Sequence, residues 1–207
     1  MSGMDAVLRG IEGIVIGTSA GGVEALSVVL PALPTNLRAS VFVVIHLPRD
    51  RGSRLVEVFT PRCALPVREA QDKEDALPGT IYFAPADYHL LLNRGPQMAL
   101  SVDEPVHYSR PSIDVLFESA ADVYGEKLLG VILTGANADG AAGLNAVHRA
   151  GGVTMVQRPE DAHSPLMTLS ALKRTTVDFV LSLDQIAGLL ATLDAGSGRS
   201  PNLQKET

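Results

Sequence analysis

The 207-residue chain has one cysteine, Cys63, no tryptophan and few aromatics (4% of residues), and no basic excess, its net charge being −6. A single thiol cannot form an internal disulfide framework, which fits a reducing cytosol and an expected cytoplasmic location. An acidic balance gives no general attraction to phosphate backbones, so nucleic acid is not expected as a partner. No apolar run approaches the ~20 residues that a spanning helix needs. Val41 to Ile45 is among the longest, so no direct membrane insertion is expected. The first dozen residues hold acids and one arginine with no apolar segment, which is unlike an export signal. No Cys/His cluster has metal-ligand spacing, and neither a metal nor another cofactor is expected.

What is present is a globular composition, 46% hydrophobic and 19% charged. Domains typically hold roughly 100–200 residues, so one domain is expected over residues 1–194. The Gly-, Ser- and charge-rich residues 195–207 are expected to form a disordered tail.

Six short, β-branched, unalternating runs read as strands buried on both faces: residues 13–17, 40–45, 80–84, 128–133, 152–156 and 178–181. Helical spacing falls between them over 23–33, 53–59, 113–124, 141–150, 165–173 and 185–193. That alternation predicts an α/β fold, a doubly wound, mostly parallel sheet with helices on both faces. Turn residues Pro85-Ala86-Asp87 and Asn93-Arg94-Gly95-Pro96 break the rhythm. They predict an antiparallel hairpin inserted beside the parallel sheet.

Ligands of open parallel sheets bind beyond the carboxyl ends of the strands. Ser19 lies just past the first strand in Gly17-Thr-Ser19-Ala-Gly21-Gly22, and His46 directly follows the second in Val44-Ile-His46-Leu-Pro48. Asp139 follows the strand ending at Leu133, in Leu133-Thr-Gly135-Ala-Asn-Ala-Asp139-Gly140. A hydroxyl, an imidazole and a carboxylate on one sheet edge meet the requirement for an activated serine. The Gly17-x-Ser19-x-Gly21 spacing suits a nucleophile elbow. Blander roles compete: Ser19 capping the helix near Gly21, His46 bonded to backbone, Asp139 capping the helix after Gly140. The glycine turn could also hold a phosphate, although it lacks a P-loop ending and does not complete G-x-G-x-x-G. His163 is the reserve base, since it too follows a core strand. His89, His107 and His148 are weaker, and Asp103, Asp114 and Asp161 are rivals for the acid.

Five blocks in one order carry a resemblance: Gly17-Thr-Ser-Ala-Gly-Gly22, Ile45-His-Leu-Pro48, Ile81-Tyr-Phe-Ala-Pro85 with His89, Ser109-Arg-Pro-Ser-Ile-Asp-Val-Leu-Phe117, and Leu133-Thr-Gly135 through Asp139-Gly-Ala-Ala-Gly-Leu144. Together they resemble the catalytic domain of CheB, the chemotaxis protein-glutamate methylesterase, over about residues 13–193. The resemblance implies a Ser19, His46, Asp139 triad acting on glutamate methyl esters of chemoreceptor cytoplasmic helices, with deamidation of certain glutamines. The expected oxyanion donors are backbone N–H groups of Ala20 or Gly21 and of the Gly135-Ala136 turn. Arg110 is a substrate-binding candidate, and Arg49, Arg51 and Arg54 are candidates for steering onto acidic receptor helices.

Two departures accompany the resemblance. Family members commonly carry Thr-Gly-Met-Gly-Asn-Asp-Gly where this chain has Thr134-Gly-Ala-Asn-Ala-Asp-Gly140. They usually also carry an N-terminal receiver domain, whereas about a dozen residues precede the first strand here. A CheB-like module that binds a receptor or kinase without turnover is the alternative function, and an esterase for another protein or a small ester is a third.

Overall fold

The computed structural model describes residues 8–46 and 54–193. Seven parallel strands form the sheet: β1 Gly13–Thr18, β2 Ser40–Ile45, β3 Val67–Glu69, β4 Ile81–Phe83, β7 Leu128–Ile132, β8 Val153–Gln157 and β9 Phe179–Leu181. Their spatial order is β3-β4-β2-β1-β7-β8-β9. The two outward runs of the chain part between β1 and β7, the switch point at which open parallel sheets place their ligands. A separate antiparallel pair, β5 His89–Asn93 and β6 Gln97–Ser101, is the inserted hairpin.

The unalternating runs have their explanation in burial on both faces. Ile14, Ile16, Val41 and Val43 face one core, with Leu26 and Val29 of α1 (Gly22–Val29), Phe59 of α2 (Leu55–Phe59), and Ile186 and Leu190 of α6 (Leu183–Leu190). Val15, Phe42 and Val44 face the other core. There they meet Phe117 of α3 (Ile113–Tyr124), Leu144 of α4 (Ala141–Arg149), Met167 of α5 (Leu166–Arg174) and the hairpin's Leu90 and Met98. Every side chain of β1, β2, β4, β7 and β8 is thereby removed from water, at about 25 cal/mol per Å² of apolar surface.

Two expectations need correction. The helix expected over 23–33 ends at Val29 and tightens into a 3₁₀ turn, Leu30–Ala32, because Pro31 has no N–H for the helical ladder. The edge strand β3 was not anticipated, because Val-Arg-Glu is short and only Val67 is buried. Among the described residues no helix is long and apolar enough to cross a membrane. The expected tail, 195–207, lies outside the described residues.

Candidate active site

Parallel register brings the three loops together. Thr18 ends β1 opposite Ile45 at the end of β2, so Ser19 and His46 leave neighbouring strands at the same level. The His46 N–H donates to Thr18 O at 3.1 Å. On the other side of β1, Leu133 N–H donates to Gly17 O, and Ser19 N–H donates to Thr134 O, both at 2.9 Å. Thr134 completes the stitch: its carbonyl also accepts from the Thr18 hydroxyl, and its own hydroxyl donates to Ala20 O, each at 2.8 Å.

Asp139 is fully buried and accepts four hydrogen bonds. Oδ1 accepts from the Ser112 hydroxyl at 2.8 Å and the Asp114 N–H at 3.0 Å. Oδ2 accepts from the Ile113 N–H at 2.7 Å and from His46 Nε2 at 3.0 Å. The carboxylate thus occupies the amino end of α3, where unpaired N–H groups and the helix dipole favour negative charge. Burial by itself pushes the carboxyl upward. The bonds from His46 and from the Asp114 and Ile113 N–H groups outweigh it and hold Asp139 below the ordinary aspartate range.

The blander readings do not describe these side chains. The residue at the start of α4 is Gly140 with no side-chain cap, so Asp139 caps α3 and not the helix that follows it. The residue at the start of α1 is Gly21, again with no side-chain cap. Among the described residues the Ser19 hydroxyl makes no hydrogen bond, and Ser19 is partly exposed.

The elbow glycines have separate causes. Gly21 has φ +78°, and a Cβ there would lie 2.6 Å from His163 Cβ. Gly17 admits Ile113, whose Cγ2 would overlap any Cβ at that position. The bare backbone at Gly17 therefore lets α3 seat its first turn against β1. That seat brings the helix terminus to Asp139.

The tautomer of His46 follows from its neighbours. Asn137 Oδ1 accepts from the Asp139 N–H at 3.2 Å, which turns Asn137 Nδ2 toward the ring, 3.2 Å from Nδ1. An amide nitrogen can only donate, so Nδ1 is the acceptor and Nε2 carries the proton given to Asp139. The Ser109 hydroxyl lies 3.5 Å from the same Nδ1. The imidazole is therefore turned opposite to that of trypsin-like proteases, in which the acid holds Nδ1.

The remaining candidates are distributed unevenly. No hydrogen bond engages the N–H of Ala20, Gly21 or Ala136 among the described residues. The Gly135 N–H, in contrast, donates to Ser164 O at 2.9 Å, which engages it in the fold. Arg110 is a clamp: Nε and Nη2 hold Asp87 Oδ1 at 3.1 and 2.9 Å, and Nη1 holds the carbonyls of Val102 and Asp103. All but one of its five donors are thereby engaged. Arg54 pairs with Glu57 on the surface, and Arg49 and Arg51 lie outside the described residues. The reserve base, His163, packs on Gly21.

Ser112, Asn137, Thr134 and His89 were not singled out from the sequence as parts of the site. His89 is buried, takes the Ser112 N–H on Nδ1 at 3.1 Å and faces Glu104 O with Nε2 at 3.2 Å, so it anchors the residue that holds Asp139. A serine just ahead of an acid-bearing helix is a cap signal, and Ser112 does accept from Val115 N–H. Its second role, toward Asp139, has no local signature.

Comparison with known proteins agrees with this fold. The family model described as CheB methylesterase matches residues 14–190. A Leptospira interrogans protein, provisionally named protein-glutamate methylesterase/protein-glutamine glutaminase, is 45% identical over 88% of this chain and 95% of its own. The Chromohalobacter salexigens protein-glutamate methylesterase/protein-glutamine glutaminase is 39% identical over 90% of this chain, which spans only 53% of that longer protein. The crystal structure of the Thermotoga maritima CheB methylesterase catalytic domain superposes with TM-score 0.83 at 32% identity, covering 88% of this chain and 98% of that one. On a family match spanning nearly the whole described fold, the chain belongs to the CheB methylesterase family.

Proposed function

We propose that this protein hydrolyses methyl esters of glutamate side chains on chemoreceptor cytoplasmic helices, and deamidates receptor glutamines at the same site, in the cytoplasm. The observation carrying this reading is the Asp139 carboxylate, fully buried, held by four donors and bonded to a largely buried imidazole one strand from a serine hydroxyl that is free among the described residues. Burying a charge is expensive unless it is paired. A docking surface has no use for one; a base that must become imidazolium has.

Because Asp139 holds Nε2, the proton of Ser19 goes to Nδ1 as the hydroxyl attacks the ester carbonyl. Asp139 fixes the ring and stabilises the imidazolium. The oxyanion meets the unengaged N–H groups of Ala20 or Gly21 and of Ala136, each such donor being worth ~10²–10³ in rate. His46 returns the proton to the leaving methoxide, methanol departs, and water cleaves the acyl-enzyme by the same route to leave glutamate. With glutamine the leaving group is ammonia, and nothing else changes.

A module that docks without turnover draws support from one observation: Nδ1 accepts from Asn137 and not from Ser19. The two readings separate on methanol release from methylated chemoreceptor cytoplasmic fragments. Release by wild type that disappears in Ser19→Ala is expected; folded wild type that releases none would favour docking or a different ester.

A further inference from the structure

We propose that Asn137 gates the base: its side-chain amide occupies the proton-accepting nitrogen of His46 in the resting protein and must yield before Ser19 can be deprotonated. This inference rests on the triad reading and goes beyond it, because it assigns the control of that site to a residue outside the triad.

An imidazole nitrogen has one in-plane lone pair and takes one strong hydrogen bond. In His46 that lone pair, on Nδ1, faces Asn137 Nδ2 at 3.2 Å, while the Ser19 hydroxyl is unbonded among the described residues. The amide is not free to swap its ends, since Oδ1 accepts from the Asp139 N–H at 3.2 Å. Nδ2 also reaches Ser109 Oγ at 3.5 Å, so hydroxyl and amide together cover the nitrogen. Removing the proton from Ser19 therefore requires an exchange of partners at Nδ1.

The loop carrying Asn137 is built to permit that exchange. One end is pinned where Gly135 N–H meets Ser164 O and Gly135 O accepts from Met167 N–H. The other end is pinned by the four bonds to Asp139. Between the pins, Ala136 and Ala138 are exposed with only methyl side chains, and a backbone bond from the Ala141 N–H to Ala138 O, at 3.3 Å, tethers the arch on its far side. Asn137 is the one residue of the arch whose side chain turns inward onto the site. An ester seated against Ser19 would compete with it for the imidazole edge, so access of substrate and release of the base are coupled.

The test uses the full chain and does not need the substrate. Phenylmethylsulfonyl fluoride reports the nucleophile directly, because serine attack on sulfur expels fluoride and leaves a mass label on the residue. Asn137→Gly should label Ser19 about two- to tenfold faster than wild type, the rate equivalent of one net hydrogen bond. Asn137→Asp, of nearly the same shape, places a carboxylate against Nδ1, favours a proton there and should label more than tenfold slower.

A scalar coupling across the hydrogen bond between Asn137 Nδ2 and His46 Nδ1, measured by NMR on 15N-labelled protein, should be present in wild type and retained in Ser19→Ala. A merely structural Asn137 would not produce opposite effects in the glycine and aspartate variants. Absence of the coupling, or labelling of Asn137→Gly that is unchanged or slower at a wild-type unfolding midpoint, would overturn the gate. Coupling present with no label on Ser19 in any variant would overturn the nucleophile assignment and the gate with it, while the Asn137–His46 contact stood.

Discussion

The two ends of the proposed triad are held in opposite ways. At one end Asp139 is sealed from water, with both oxygens satisfied by a helix terminus, a serine and an imidazole. At the other, Ser19 sits partly exposed on a glycine turn, its hydroxyl bonded to nothing among the described residues. On the proposed mechanism, the orienting acid is completed by folding, whereas the nucleophile is left for the substrate to complete. Electrostatic preorganisation costs no reorganisation during reaction only when the charged end is built in advance. A hydroxyl has no net charge to stabilise and can wait.

That contrast makes unequal substitutions. Ser19→Ala should reduce methanol release by about 10⁴–10⁶, as loss of a triad serine does elsewhere. It should leave urea-unfolding stability within about 0.5 kcal/mol, because no structural bond is lost. A large stability loss would show that the nucleophile end is structural after all.

Asp139→Asn should lower kcat by ~10⁴ through the wrong imidazole tautomer. Unlike the serine change, it should also destabilise the fold by about 3–5 kcal/mol, since a buried charge network loses one partner. Equal stability of the two variants would erase the distinction between the ends.

Gly17→Ala probes the junction between them. The added methyl overlaps Ile113 and should cost about 1–3 kcal/mol by overpacking. It should also lower kcat, because Ile113 leads the helix turn that holds Asp139. A folded variant with unchanged kcat would detach the glycine from the acid's seat.

The smallest effect is the dependence of stability on pH. The Asp139 carboxyl is depressed in the fold, so its contribution is fully present above the unfolded value of about 3.9. It is lost as pH falls through the lower folded value. Unfolding midpoints taken from pH 5 downward should therefore fall more steeply for wild type and Ser19→Ala than for Asp139→Asn. Parallel curves would place the acid sensitivity elsewhere.

Much of this was legible from short-range pattern. Burial on both faces forces continuous apolar runs, so the central strands announce themselves, as did the hairpin through its turn residues. The edge strand Val67–Glu69 did not, since an edge buries little and its sequence is under little constraint. Pro31 could have been used to end α1 at Val29, two residues before the proline. Arg110 shows the limit on the other side: its hold on Asp87 and two carbonyls joins loops distant in sequence, and no local pattern announces it.

What the chain determines by itself is therefore the set of central strands, their common direction, and the fact that Ser19, His46 and Asp139 leave the same edge. Period and turn chemistry act over a few residues and can be read there. Tertiary structure alone decides which imidazole nitrogen meets the acid, that Asp139 caps a helix 26 residues upstream of itself, and that Asn137 lies on the base. Those outcomes depend on the direction of side chains converging from separate loops. Such directions are set by packing around Gly17 and Ile113, contacts between residues far apart in sequence that no local pattern encodes.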